Sequence, residues 1–163
     1  MDAATLAEQV KAKFPNLIIE ATVNRGYATV VVKKDGMKAF ASSLKSDPAF
    51  DFNMLMDLTA VDYLFWEEKE NRFEVVYNLY SLSQKHRLFV KALVSEMDTT
   101  VDSVASVWPA ADWYEREVWD MFGVVFKGHP NLKRILMYEE FQGHPLRKDY
   151  TYNRRQPLIG PMN

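Results

Sequence analysis

Two alternating stretches, Phe73 to Leu82 and His86 to Val94, are joined only by Ser83-Gln84-Lys85. Alternation of that length across so short a turn predicts a β-hairpin, and the apolar face of a hairpin must be buried by further strands and a second layer. The preceding chain supplies both. Leu17 to Val23 and Tyr27 to Val32 are β-rich and flank Asn24-Arg25-Gly26, which reads as a second hairpin. Phe52 to Tyr63 is apolar along its length and predicts a buried strand, and Trp66 to Asn71 after it reads as a solvated charged loop. Residues 2–14 place Leu6, Val10 and Phe14 at steps of four and stop at Pro15, an amphipathic helix. Gly36 to Lys45 repeats the device with Met37, Phe40, Ala41 and Leu44 on one face and ends before Asp47-Pro48. The order α-β-β-α-β-β-β predicts an α+β fold. Two helices should cover one face of a five-stranded mixed sheet in a two-layer α/β arrangement, with the other face polar or met by a partner. Short helices and an extended C-terminal tail should follow.

At 163 residues the chain suits one domain. It has no cysteine, which removes disulfides, thiolate catalysis and cysteine ligation of zinc or iron–sulfur clusters. Met1-Asp2-Ala3-Ala4 lacks a basic, then apolar, opening, so neither a signal peptide nor an unaided membrane span is expected. The net charge of −2 conceals an asymmetry. From Lys127 to Arg155 seven basic residues, among them Arg154 and Arg155, stand against three acidic ones. That segment is +4 and the remainder −6, so the basic part should seek an acidic partner surface.

After Met97 the strand pattern ends. Asp102 can cap a short helix over Ser103 to Val107, closed by Pro109. Asp112 begins another, with Asp112 and Glu115 at capping-box spacing and Gly123 as its stop. This divides the chain into an α+β body, 1–123, and an extended basic docking tail, 124–163. The tripeptide Gly-His-Pro occurs at 128–130 and again at 143–145, too short an echo for a structural repeat.

Three constellations could do chemistry. Glu115, Glu117 and Asp120 lie on one short helix, where paired carboxylates can move protons or hold a metal. The favoured reading is structural, because Arg116 sits four residues before Asp120 and can pair with it. His129 and His144, with Glu139 or Asp149, would make a metallohydrolase site. Neither helical His-Glu-x-x-His nor zinc-finger spacing is present, however, and a histidine in a Gly-His-Pro turn more often bonds to backbone. Leu146 to Tyr150, with Arg154 and Arg155, could bind nucleic acid, but a pI of about 5.9 and the lack of a nucleic-acid module weigh against it. No phosphate loop, dinucleotide turn or Gly-x-Ser-x-Gly elbow occurs.

Three segments taken together closely resemble the signature of a family. They are E-R-E-V-W-D-M-F-G from Glu115, F-K-G-H-P-N-L-K-R-I-L from Phe126, and G-H-P-L-R-K-D-Y from Gly143. The family is that of the thirty-kilodalton subunit of respiratory NADH:quinone oxidoreductase, complex I. Its signature falls on Glu115, Arg116, Glu117, Asp120, Phe122 and Gly123, then on Gly128, His129, Pro130 and Arg134. It ends on Gly143, His144, Pro145, Leu146, Arg147, Lys148, Asp149 and Tyr150. The chain departs from the usual pattern at Phe141, where members often have tryptophan, and at Thr151, where proline is common.

The resemblance implies a non-catalytic assembly subunit of a proton-translocating oxidoreductase, with no cofactor of its own. FMN, Fe–S clusters and quinone would sit in partner subunits. Its neighbours would be the quinone-pocket and Fe–S subunits of the peripheral arm, in a hetero-oligomer without nucleic acid or direct membrane insertion. The location implied is the cytoplasmic side of the inner (plasma) membrane. An equivalent subunit of a complex without an NADH module, linked to ferredoxin or F420 or to a membrane-bound hydrogenase, is the alternative.

On this reading Glu115, Arg116, Glu117 and Asp120 should form a polar cluster anchoring the tail. Arg134, Arg147 and Lys148 should meet carboxylates of a partner, and Phe141 and Tyr150 should fill its pockets. Truncation after Gly123 should leave a foldable body that no longer co-purifies with its neighbours.

Overall fold

In the computed structural model, residues 1–153 and 155–157 are described; Arg154, named above in the basic tail, lies outside them. Helix α1 (Ala3–Lys13) starts at Asp2, whose carboxylate accepts the Thr5 N–H at 2.9 Å, and it buries Leu6, Ala7 and Val10. Strands β1 (Ile18–Asn24) and β2 (Tyr27–Lys33) form the predicted hairpin. Its turn residues Arg25 and Gly26 both have positive φ, 51° and 84°, the left-handed pair that matches the twist of the strands. Helix α2 (Met37–Ser46) buries the four residues whose spacing predicted it.

Strands β3 (Met54–Asp62), β4 (Phe73–Ser81) and β5 (His86–Val94) complete a sheet of order β1-β2-β5-β4-β3. β2 and β5 run parallel, with Val30 beside Val90, and every other neighbouring pair is antiparallel. The sheet is therefore mixed and the predicted order of elements holds. One face, with Val30, Val75, Tyr77, Leu88 and Val90, is wholly buried beneath the helices. The other bears polar and aromatic residues that pair within the sheet, including Glu74 with Lys91 at 3.4 Å and Tyr27 against Phe89.

Four local expectations change. The apolar run 52–63 is not a fully buried strand. Among the described residues β3 is an edge strand, paired only with β4, and its Met54, Met56, Asp57 and Thr59 are exposed. Nor do residues 103–107 form a helix. Asp102 belongs to a short strand, β6 (Thr100–Asp102), and the chain then turns, because the Ser103 N–H is taken by the Lys127 carbonyl and the Val104 N–H by Glu115. The third helix, α3 (Ala111–Phe122), has Ala110 at its N-cap with no side-chain bond, so Asp112 and Glu115 form no capping box. A last strand, β7 (Val125–Lys127), lies parallel to β6, a pair too short to show periodicity in sequence.

That pairing bears on truncation. Val124 and Phe126 are buried in the core, and β7 completes the β6 edge. A cut after Gly123 would remove part of the body's own packing, so it does not isolate a body intact in the way the sequence suggested.

Candidate functional site

Helix α3 is short and amphipathic, and its polar residues are almost all turned inward. Glu115 and Asp120 are fully buried, Arg116 nearly so, and only Glu117 of the four signature residues is exposed. A buried charge must be met by hydrogen bonds or an opposite charge; Arg116 and Asp120 both meet residues 133–137, whereas Glu115 meets 103 and 104.

Asp120 holds the tail. One carboxylate oxygen accepts the backbone N–H groups of Ile135, Leu136 and Met137 at 3.0, 2.9 and 2.9 Å. The other accepts the Arg134 guanidinium. Burial pushes this carboxyl up, but the three N–H groups and Arg134 outweigh it and hold it below the usual aspartate range. Arg134 also donates to the carbonyls of Phe141 at 2.6 Å and Gly143 at 3.1 Å, closing the loop between them. The expected Arg116–Asp120 pair does not form. Arg116 donates instead to the carbonyls of Lys133 (3.2 Å) and Arg134 (3.1 Å), with its guanidinium 5.0 Å over Trp113.

The C-terminal end of α3 is capped by the tail as well. The last carbonyls of a helix have no partner within it. Here Trp119 is met by the Gly123 N–H at 2.8 Å, Asp120 by the His144 Nδ1–H at 3.0 Å, Met121 by the Leu146 N–H at 3.0 Å, and Phe122 by Arg147 Nε. Gly123 makes this approach possible. It sits at φ 75°, and a Cβ there would lie 2.5 Å from Arg147 Nη2 and 2.6 Å from the His144 ring. Gly123→Ala is therefore expected to lose roughly 1–2 kcal/mol to the left-handed backbone alone. It should also dislodge residues 144–147, seen as a lower Tm and new proteolytic cleavage near Leu146; an unaltered Tm would contradict this.

Glu115 holds a different segment. Its carboxylate accepts the Ser103 hydroxyl at 2.6 Å and the Val104 N–H at 2.7 Å. His129 lies 4.0 Å away, and no cation pairs with Glu115 at closer range among the described residues. Burial pushes the Glu115 carboxyl up to about 7, against the two hydrogen bonds, with Asp112 adding a like charge.

The histidines also belong to α3. His129 Nδ1 accepts the Asn131 N–H at 3.0 Å, which leaves Nε2–H to donate to the Asp112 carbonyl, also at 3.0 Å. His144 donates to the Asp120 carbonyl, eight residues on. Two carbonyls eight residues apart along a helix are separated by ~12 Å, so the histidines serve separate places and do not share an ion. Among the described residues no group of three His, Asp or Glu could hold a metal. The two Gly-His-Pro turns thus bind the two ends of one helix, which gives the sequence echo its physical meaning.

A second anchor is hardly marked in the sequence. Arg72, just before β4, meets Asp62 at the end of β3 through two bonds of 3.1 Å and also binds Asp149 at 2.7 Å. Asp62 further accepts the Lys148 N–H at 2.9 Å. Burial raises the Asp62 carboxyl, but Arg72 and the backbone donors of Lys148 and Leu64 bring it below its ordinary value. A lone Asp after an apolar strand and an Arg before the next were the only hints, and neither points to the other. Of the expected partner contacts, Arg134 and Arg147 are engaged within the chain, and Phe141 and Tyr150 stack on each other at 6.1 Å. The Lys148 side chain remains exposed.

Comparison with known proteins bears on what such an arrangement serves. The family described as respiratory-chain NADH dehydrogenase, 30 Kd subunit, matches residues 30–156. The chain is 46% identical over 153 residues to the C subunit of the NADH-quinone oxidoreductase of Geotalea uraniireducens, covering 94% of this chain and 87% of that protein. The corresponding protein of Geobacter metallireducens is 48% identical over 153 residues, covering 94% and 88%. Among solved structures, Nqo5 of a trypsin-resistant fragment (1-134) superposes with a TM-score of 0.68 at 35% identity, covering 78% of this chain and 97% of that one. A chain of the membrane-bound sulfane sulfur reductase, an archaeal respiratory membrane complex, gives a TM-score of 0.74 at 27% identity, covering 91% and 85%.

Proposed function

Since the chain belongs to the family of the 30-kDa subunit of respiratory-chain NADH dehydrogenase, we propose that it is an assembly subunit of the peripheral arm of the NADH:quinone oxidoreductase, without a catalytic centre of its own. FMN, Fe–S clusters and quinone belong, on this proposal, to neighbouring subunits, and the chain lies on the cytoplasmic side of the membrane as a peripheral member. Among the described residues no helix is long and apolar enough to cross a membrane. An equivalent place in a complex without an NADH module is less favoured, because the relatives at 46–48% identity are named as C subunits of NADH-quinone oxidoreductase.

The observation that carries the non-catalytic reading is the saturation of α3. Glu115, Arg116, Asp120, His129 and His144 all hold backbone or side chains of their own chain, so the residues that resemble an active site are spent on placing the tail. Residues 1–123 then act as the body and 124–163 as the docking strap, with the first residues of the strap also completing the body. A strap folded back in this way offers its outer side. Leu136 and Leu146 are more than half exposed, Tyr152 is nearly wholly so, and Trp113 of α3 is exposed as well. These, with Glu117 and Lys148, are the residues assigned to the neighbouring quinone-pocket and Fe–S subunits.

Affinity purification of the tagged chain from native membranes tests the reading. The expected outcome is recovery of cluster-bearing and quinone-pocket subunits; purification of the chain with neither would overturn it. Leu136→Glu combined with Leu146→Glu should lower that recovery at least tenfold while leaving the thermal unfolding of the isolated chain within a few degrees of the unchanged protein.

A further inference from the structure

The loop joining β3 to β4, residues 63–72, is ordered by its own bonds yet displays its largest apolar side chains to solvent. Tyr63 N–H donates to the Arg72 carbonyl at 2.7 Å, Trp66 N–H to Tyr63 at 2.8 Å, and Lys69 N–H to Trp66 at 3.0 Å. Tyr63 and Lys69 are both tied to buried Glu74, at 3.1 and 2.7 Å. On this frame Phe65 is 73% and Trp66 63% exposed, and Met97, which lines the same cleft as Trp66, is 94% exposed. The Trp66 ring is braced edge-on against Tyr63 at 5.9 Å. The segment is therefore no merely solvated charged loop. A rigid, exposed tryptophan loses little freedom on being covered and is the side chain most enriched where binding energy concentrates.

The charges around the cleft are unbalanced. Its two cations are already engaged, Lys69 by Glu74 and Arg72 by Asp62, Asp149 and Glu96. Glu67, Glu68 and Glu70 are exposed and form no ion pair among the described residues. Three unmatched carboxylates on the loop that carries exposed Phe65 and Trp66, two of them lining the cleft with Trp66 and Met97, disfavour an anionic lipid surface or a nucleic acid. They disfavour a second copy of this chain too, since a two-fold contact would set the same carboxylates against each other.

We propose that Phe65, Trp66 and Met97, rimmed by Glu67, Glu68 and Glu70, form a docking surface for a segment of a neighbouring subunit that presents apolar side chains flanked by lysine or arginine. This rests on the assembly reading above and adds a contact on the side of the body served by the Arg72 anchor.

The test uses the assembled complex. With a photo-reactive benzoylphenylalanine at position 66, irradiation of the purified complex is expected to cross-link a peptide of another subunit that bears net positive charge and apolar residues. A cross-link to an acidic peptide, to a second copy or to lipid alone, or none from an intact complex, would overturn the proposal. The variant E67K/E68K/E70K alters only exposed side chains. It should unfold at the temperature of the unchanged protein and lower recovery of the cross-linked neighbour at least tenfold. Equal recovery by the variant and the unchanged chain refutes this contact alone, whereas failure of the unchanged chain to recover any other member of the complex refutes the assembly reading and this contact with it.

Discussion

Replacing Asp120 by alanine is expected to lower the stability of the isolated chain by about 3–5 kcal/mol, the range for removing one partner of a buried charge pair. The loss has three sources. Arg134 keeps its charge in a half-buried place with only carbonyls to meet it, three consecutive N–H groups at 135–137 lose their acceptor, and the α3–tail junction loosens with them. Asparagine retains one acceptor oxygen and should recover part of the loss. Denaturant unfolding measures the stability, and limited proteolysis should reveal cleavage between 133 and 150 before the sheet opens. A loss below about 1 kcal/mol, the net worth of one ordinary hydrogen bond, would mean that the tail is held elsewhere. The pH dependence has a definite sign. Because the Asp120 carboxyl is held below its ordinary value, its contribution is present above the unfolded value of 3.8 and is lost as the pH falls through the folded one.

Glu115 gives the second large effect, with the opposite sign. Its folded pKa of about 7 lies above the ordinary 4.5, so the folded protein holds this proton more tightly than the unfolded chain. The associated stability is fully present below pH 4.5 and is lost as the pH rises through about 7, a change on the order of 3 kcal/mol. Glu115→Gln keeps one acceptor oxygen for the Val104 N–H, turns its amide NH2 toward the Ser103 hydroxyl oxygen and cannot ionise, so its stability should vary less between pH 5 and pH 8. Unfolding curves of both proteins across that interval decide the matter, and parallel pH profiles would exclude Glu115 as the titrating group. Glu115→Ala should be destabilised at every pH, because it strands the Ser103 hydroxyl and the Val104 N–H inside the body.

These two carboxylates show how far one sequence can be read. They are five residues apart on the same helix and look alike in the chain, yet one is held low by four donors and the other is pushed high by burial with two. Spacing placed both on α3 and suggested Arg116 as the partner of Asp120. The observed partner, Arg134, is fourteen residues on, and a pattern confined to one helix cannot contain it. The same holds for Arg72 and Asp149, which meet across 77 residues.

What the sequence by itself determined is local. Periods of two and of about four placed the strands and helices, Gly26 and Gly123 marked a turn and a helix end, and the signature motifs assigned the family. Only the tertiary structure decided that β3 is an edge, that β6 and β7 pair, and that the basic tail folds back through Asp120 and Asp62 onto its own body. The physical reason is that periodicity records which face of an element is apolar. The choice of partner for a buried charge or an uncapped carbonyl depends on distances that exist only once the chain has closed on itself.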